Sequence, residues 1–214
     1  MLAFSSLLGN VEGQNIYRIW YDKPASYWEE ALPGGNGRIA AMVFGDPQLE
    51  QIQLNEETVS AGSPYQNYNE EAKTALPEMR RLIFEGKYEE AQNMAATKIL
   101  SQVGNEMPYQ TVGRLNIRYQ DHKKVNNYYR DLDISNAVAV TRYEVDGVEF
   151  TEETFASFTD QLVIRHIKAS KPGTINCELF FNTPMRDPKR SIYGKKGLRL
   201  EGITYGSRYF PGKV

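Results

Sequence analysis

Cysteine occurs once in the 214 residues, and histidine and tryptophan twice each. The lone Cys177 excludes an internal disulfide, and its apolar setting across residues 175–181 reads as a buried, inert thiol, since reactive thiols need an electropositive, exposed environment. The two histidines are far apart, His122 in an apparent loop and His166 in a strand pattern. Neither has a ligand neighbour at metal spacing, so no metal centre held by His or Cys and no cofactor are expected, while spacing alone does not decide on a carboxylate-held Ca²⁺. Long apolar runs are missing as well. None reaches the ~20 residues of a membrane-crossing helix, and no membrane span is expected. Nor is there an excess of positive charge: 25 Lys and Arg against 27 Asp and Glu leave a net charge of -2, with a pI near 5.8. Without a concentrated basic face the chain has no electrostatic footprint for nucleic acid.

What the chain has in quantity is tyrosine, fourteen of them, which suits β-strands and sugar stacking equally. Residues 16–21 alternate apolar and aromatic types and stop at Asp22-Lys23-Pro24, predicting a first strand ended by a turn. Residues 69–100 change period. Ala72, Ala75, Leu76, Met79, Leu82 and Ile83 recur every three or four positions, Gly86 interrupts, and Tyr88, Ala91, Ala95 and Ile99 resume, predicting a helical hairpin whose role is packing. From residue 112 onward the pattern is β. Asp146-Gly147 between two β-branched and aromatic runs predicts a tight hairpin. Residues 161–169 and 174–182 around Lys171-Pro172-Gly173 predict a second. The sum is a large antiparallel β-sandwich with a helical insertion. Residues 197–205 read as a last strand whose partner is missing, so an open edge and an incomplete C-terminus are expected. Residues 1–15 are read as an N-terminal arm or the remnant of a signal peptide; the latter implies an exported parent, periplasmic or extracellular.

Special residues concentrate in positions 28–58. Gly34, Gly35 and Gly37 surround Asn36 and lead through Arg38 into the apolar run 39–44, a turn feeding a strand. Ile52 and Leu54 then alternate against Gln51, Gln53 and Asn55, and the strand ends in the polar cluster Asn55-Glu56-Glu57-Thr58. Two strand ends thus present polar groups. The segment Gly35-Asn36-Gly37-Arg38-Ile39-Ala40 also fits a dinucleotide-binding spacing, but a strand follows where that motif needs a helix, so a nucleotide is not expected. Glu56 and Glu57 are adjacent and cannot face each other as an acid/base pair.

Several ordered blocks carry a family resemblance. Trp28-Glu29-Glu30-Ala31-Leu32-Pro33, Gly35-Asn36-Gly37-Arg38, Ala41-Met42-Val43-Phe44-Gly45 and Ile52-Gln53-Leu54-Asn55-Glu56-Glu57-Thr58 resemble the opening of glycoside hydrolase family 95, the α-L-fucosidases and α-L-galactosidases. The likeness continues through residues 76–91 and 107–110, Tyr129-Arg130-Asp131-Leu132-Asp133, and residues 155–161. It departs at Val59-Ser60-Ala61-Gly62, where such proteins commonly carry an aromatic.

The resemblance implies a galactose-mutarotase-like super-sandwich, occupying residues 16–214, that precedes a catalytic (α/α)6 barrel absent from this chain. It implies that the parent removes terminal α-L-fucosyl or α-L-galactosyl residues from a fucosylated glycan by inversion, with the sandwich bracing the barrel and its active-site rim. Asn36, Arg38, Asn55, Glu56 and Thr58 are the candidate contacts to that rim or to the barrel. Glycosidase chemistry needs two carboxyl groups across the scissile bond. No such pair is evident here, so no catalytic residue is expected in the chain and the fragment alone should be inactive. Trp20 and Trp28 are the candidate sugar-stacking platforms, although core packing is the commoner role for tryptophans beside strand-like runs. The other reading is a stand-alone carbohydrate-binding or protein-interaction sandwich without catalysis.

Overall fold

The computed structural model describes residues 17–60, 68–101 and 109–205. The N-terminal arm and the closing residues 206–214 lie outside the described residues. Contacts divide the chain into two compact units, one of residues 1–54 and 114–182, the other of residues 55–113 and 183–214.

The first unit holds two five-stranded sheets. One runs β1 (Arg18–Tyr21), β6 (Val125–Asp133), β7 (Val138–Val145), β8 (Val148–Ser157), β9 (Leu162–Ala169). The other runs β10 (Cys177–Asn182), β5 (Gly113–Tyr119), β4 (Leu49–Glu56), β3 (Ile39–Val43), β2 (Leu32–Gly35). Period-two alternation decides which side chains enter the space between the sheets. Leu32 and Val43 of one sheet pack on Leu132 and Ala139 of the other. Ala41, Ile52, Ile117 and Tyr119 pack against Val163 and Ile167. A third apolar cluster, Tyr143, Val145, Val148 and Phe150, closes one end of the first sheet.

The Asp146-Gly147 hairpin forms as expected. Both residues have positive φ, 49° and 74°, the conformation a type I′ turn demands. The second expected hairpin does not form. β9 pairs with β8 and β10 pairs with β5, so the Lys171-Pro172-Gly173 turn carries the chain from the edge of one sheet to the edge of the other.

Arg130 is fully buried at the inner face of β6. Its guanidinium lies 4.1 Å over the Tyr21 ring and donates to the carbonyls of Lys23 and Glu30, both at 2.7 Å. One buried cation thereby pins the loop between β1 and β2, including the 3-10 turn Trp28–Glu30.

In the second unit, α1 (Ala72–Phe84) and α2 (Tyr88–Met94) form the helical pair, extended by a π turn, Ala95–Ile99. Gly86, at φ 76°, ends α1: its N–H bonds the Ile83 carbonyl, and the Lys87 N–H bonds that of Leu82. This is a Schellman close, which needs a left-handed residue there. Buried Asn69 joins the pair's two ends, its Nδ2 donating to the Thr97 carbonyl at 3.1 Å and its Oδ1 accepting from the Glu71 N–H at 3.0 Å.

The remaining strands of this unit are β11 (Arg186–Tyr193) and β12 (Gly197–Ile203), paired antiparallel. The last strand therefore has a partner, contrary to expectation. That partner lies upstream in Arg186-Asp187-Pro188-Lys189-Arg190, a run exposed throughout that shows no apolar alternation.

Candidate functional site

Asn36 is a turn organiser. Its Oδ1 accepts the backbone N–H groups of Arg38 (3.1 Å) and Ile39 (2.9 Å), and its Nδ2 donates to the Ser157 carbonyl at 2.7 Å and to Gln161 Oε1 at 3.3 Å. The two-residue turn Gly37-Arg38 has glycine first, at φ 92°, as a II′ hairpin requires. A single carboxamide therefore shapes the β2–β3 turn and ties it to the turn between β8 and β9. Arg38 projects from it, exposed.

Asn55, Glu56 and Thr58 belong to the other compact unit. Glu56 Oε2 accepts both the Thr58 N–H at 2.9 Å and the Thr58 hydroxyl at 2.5 Å. Its carboxylate folds back on the turn that ends β4, while Glu57 already lies beyond the strand. The Oδ1 of Asn55 is buried without a hydrogen-bond partner among the described residues. The five candidates thus form two local groups; turn chemistry accounts for Asn36 and for the Glu56–Thr58 pair.

The two tryptophans are surface residues and not core. Trp20 is 61% and Trp28 50% exposed. Trp20 stacks on Tyr129, ring centroids 6.3 Å apart and planes at 19°. Trp28 sits in the 3-10 turn held by Arg130.

The principal ionisable cluster lies between the sheets, where Glu50, Glu152 and Arg165 occupy inward strand positions and are almost wholly buried. Arg165 bridges both carboxylates with one nitrogen, at 2.6 Å to Glu50, and donates to the Thr154 hydroxyl with another. Glu50 Oε1 also accepts the Gly45 N–H at 2.9 Å. Tyr119 and Tyr143 both donate to Glu152 Oε1, at 2.7 and 2.8 Å. Burial drives the Glu50 carboxyl up to about 7; Arg165 opposes the shift and neighbouring Glu152 adds to it. Burial likewise raises both tyrosines.

His122, assigned to a loop, is buried beside this cluster. Its Nδ1 is 3.0 Å from the Pro47 carbonyl, an acceptor only, so Nδ1 carries the proton. Its ring stacks on Tyr119 at 4.3 Å, and burial lowers its pKa. With Asp121, Asp146, Thr174 and Asn176 it lines an open cavity of about 320 Å³.

Two carboxylates near one another invite comparison with a glycosidase pair. Glu50 and Glu152 are 0% and 1% exposed, and a general acid or base must reach its substrate. The cluster is a structural seam, sealed from any glycan. Among the described residues no group of three or more His, Cys, Asp or Glu could hold a metal ion, and no helix is long and apolar enough to cross a membrane.

Sequence reading missed this seam, although a signal was present. Glu50 is in phase with Ile52 and Leu54, Glu152 with Val148 and Phe150, and Arg165 with Val163 and Ile167. Charges at apolar-phase positions of three strands are the mark of a buried ion network.

The described residues thus form an antiparallel sandwich with a helical insertion and a sealed ionic seam. Comparison with known proteins gives this scaffold its family. The model of the glycosyl hydrolase family 65 N-terminal domain matches residues 19–209, and the chain belongs to that family of glycoside hydrolase N-terminal domains. It is 37% identical over 181 residues to "Alpha-L-fucosidase 2" of Arabidopsis thaliana, covering 82% of this chain and 21% of the relative. It is 28% identical over 200 residues to "Probable alpha-fucosidase A" of Aspergillus niger, covering 87% of this chain and 24% of the relative. A protein of the same description from Aspergillus oryzae is 25% identical over 174 residues, covering 77% and 23%. The chain spans about a fifth to a quarter of the length of these curated relatives.

Proposed function

We propose that this chain is the N-terminal β-sandwich of a family 95-like glycoside hydrolase whose whole protein removes terminal α-L-fucosyl residues, or the closely related α-L-galactosyl residues, from glycans. The observation that carries this reading is the 37% identity to a protein named alpha-L-fucosidase, over 82% of the chain. In this reading the catalytic acid and base lie downstream, in an (α/α)6 barrel, and act by inversion. The sealing of Glu50 and Glu152 agrees with such a division of labour. The sandwich braces the barrel, with Asn36 and Arg38 in one turn and Asn55, Glu56 and Thr58 at the end of β4 as the contacts to barrel or substrate rim. The parent is exported.

The test is hydrolysis of an aryl α-L-fucoside and an aryl α-L-galactoside by the chain alone and by the chain joined to the polypeptide encoded downstream of it. The chain alone should show no turnover. The longer protein should release the sugar with inverted anomeric configuration, read by proton NMR at early times. Turnover by residues 1–214 alone, or none by the longer protein on either substrate, overturns the proposal.

A further inference from the structure

The outer face of the first sheet carries a second arrangement of residues. Register places Trp20 opposite Asp131, Tyr129 opposite Arg142, Arg142 opposite Thr151, and Glu144 opposite Glu149. Residues opposite one another, or two apart on a strand, share a face. This face is therefore the one turned away from the core, since Tyr21, Leu132, Tyr143 and Phe150 at the intervening positions all pack inward. Trp20 and Tyr129 lie side by side on it as two nearly parallel rings. A strand tryptophan left 61% exposed presents apolar surface to solvent among the described residues.

Beside Tyr129 the sheet is not flat. The β6–β7 register shifts between Asn126 and Tyr129, and Asn127 sits at φ 51°, the local signature of a bulge that re-aims a side chain. Asn127 Nδ2 donates to Glu144 Oε2 at 2.9 Å. A cavity of about 200 Å³ opens there, lined among others by Asn127, Arg142, Glu144 and Thr151. It is below the usual size of a drug-like pocket and of the scale of one sugar ring.

The polar groups around the platform are pre-positioned. Arg142 Nη1 and Arg18 Nε lie 3.4 and 3.5 Å from the two oxygens of Asp131, which is itself 1% exposed. Arg18 also reaches Asp133 at 3.4 Å. Sealed Asp131 only holds the two guanidiniums in place; Arg142 and the Glu144 carboxylate, which both line the cavity, give donors and acceptors together, which a sugar's hydroxyls need because each both donates and accepts. The arginines are matched by carboxylates, and Glu144 and Glu149 add further negative charge. An anionic ligand would meet repulsion here.

We propose that this face binds a neutral glycan, with one pyranose stacked by its C–H face on exposed Trp20, whose ring Tyr129 backs, and the next unit reaching the cavity at Arg142 and Asn127. It is a non-catalytic subsite and does not depend on which glycosidic bond the parent cleaves.

The test uses the 214-residue chain with Trp28→Phe, which leaves Trp20 as the sole tryptophan. Its emission is titrated with lactose, 2′-fucosyllactose and cellotetraose, and with a sulfated disaccharide as the anionic control; saturation-transfer NMR follows the ligand. The expected result is a saturable change with at least one neutral sugar at about millimolar Kd, absent with the sulfated one. Trp20→Ala and Tyr129→Ala, each followed by NMR, should weaken binding about tenfold or more, with unchanged circular dichroism and urea midpoint. Arg142→Gln should weaken it while leaving Trp20 emission in the free protein unaltered. No saturation by any neutral sugar up to about 50 mM overturns the proposal, as does binding that survives Trp20→Ala. Self-association abolished by Trp20→Ala also overturns it, assigning the face to a second copy. Lactose and cellotetraose carry no fucose, so failure of the fucosidase reading leaves this test intact, and failure of this test leaves the fucosidase assay intact.

Discussion

Replacing Glu50 by Gln should remove a pH-dependent stability term of about 3 kcal/mol. In the fold the Glu50 carboxyl is raised from 4.5 to about 7, whereas the unfolded chain titrates at the ordinary value. Between those limits the native state holds a proton that the unfolded state lacks, so stability falls as pH rises. Glu50's contribution is fully present below about pH 4.5 and is lost as pH passes through about 7. At about 1.4 kcal/mol per unit, the 2.5-unit window gives the figure stated. His122 acts in the opposite direction, because burial lowers its pKa and its stabilisation is lost as pH falls below the ordinary histidine value. Glu30 and Asp133 have lowered values, chiefly through hydrogen bonds from Ser26 and Ser135; their windows lie below the ordinary carboxylate range. Wild type minus variant isolates Glu50 from all of them. Urea unfolding at steps from about pH 4.5 to 8 should show the Gln variant gaining about 3 kcal/mol on wild type. In Glu152→Gln the gain window should narrow, since the Glu152 charge helps hold Glu50 up. Parallel curves for wild type and Glu50→Gln would refute the reasoning.

Two further substitutions test the framework. Gly45 has φ 74°, and a Cβ there would stand 2.8 Å from the Tyr128 hydroxyl and 2.9 Å from Arg130 Cδ. Gly45→Ala should cost about 2 kcal/mol or more in urea unfolding, whereas Gly86→Ala, at φ 76° in open space, should cost only the backbone term of about 1 kcal/mol. Asn36→Ala removes hydrogen bonds to both turns and should cost about 1–2 kcal/mol, with amide exchange speeding at Arg38 and Ile39.

The parts of the fold that local chemistry dictates were legible. Asp146-Gly147 fixes its hairpin because few other pairs tolerate two positive φ values, and Gly86 ends α1 for the same reason. What failed was long-range. The Lys171-Pro172-Gly173 turn signals a reversal of the chain, but turn chemistry does not report which sheet receives the next strand. That choice is made by Val163 and Ile167 packing across the core on Ile117 and Tyr119. β6 falls in the region read as β but was not delimited as a strand, because Arg130 stands at an inward position and a bulge at Asn126–Tyr129 breaks the alternation. β11 carries no apolar phase at all.

The seam and the platform were hidden for opposite reasons. Glu50, Glu152 and Arg165 are charged residues where alternation calls for apolar ones, and only assembly of three strands from two sheets shows that each charge has a partner. Removing Arg165 leaves two buried carboxylates without their cation, a loss of about 3–5 kcal/mol, whereas the intact cluster adds little net stability over an apolar core. Its effect is therefore on alignment. Apolar clusters on either side tolerate sliding of one sheet over the other; Arg165 can bridge Glu50 and Glu152 in one alignment only. Separately, β1 lies at the edge of its sheet and its register with β6 turns Trp20 outward. Sequence made the two tryptophans look like core because they adjoin strands, yet the core positions of β1 and β2 are filled by Tyr21 and Leu32. The inward phase of the sheet's strands thus seals Glu152 and Arg165 into the core, and their outward phase leaves an aromatic face open to a sugar.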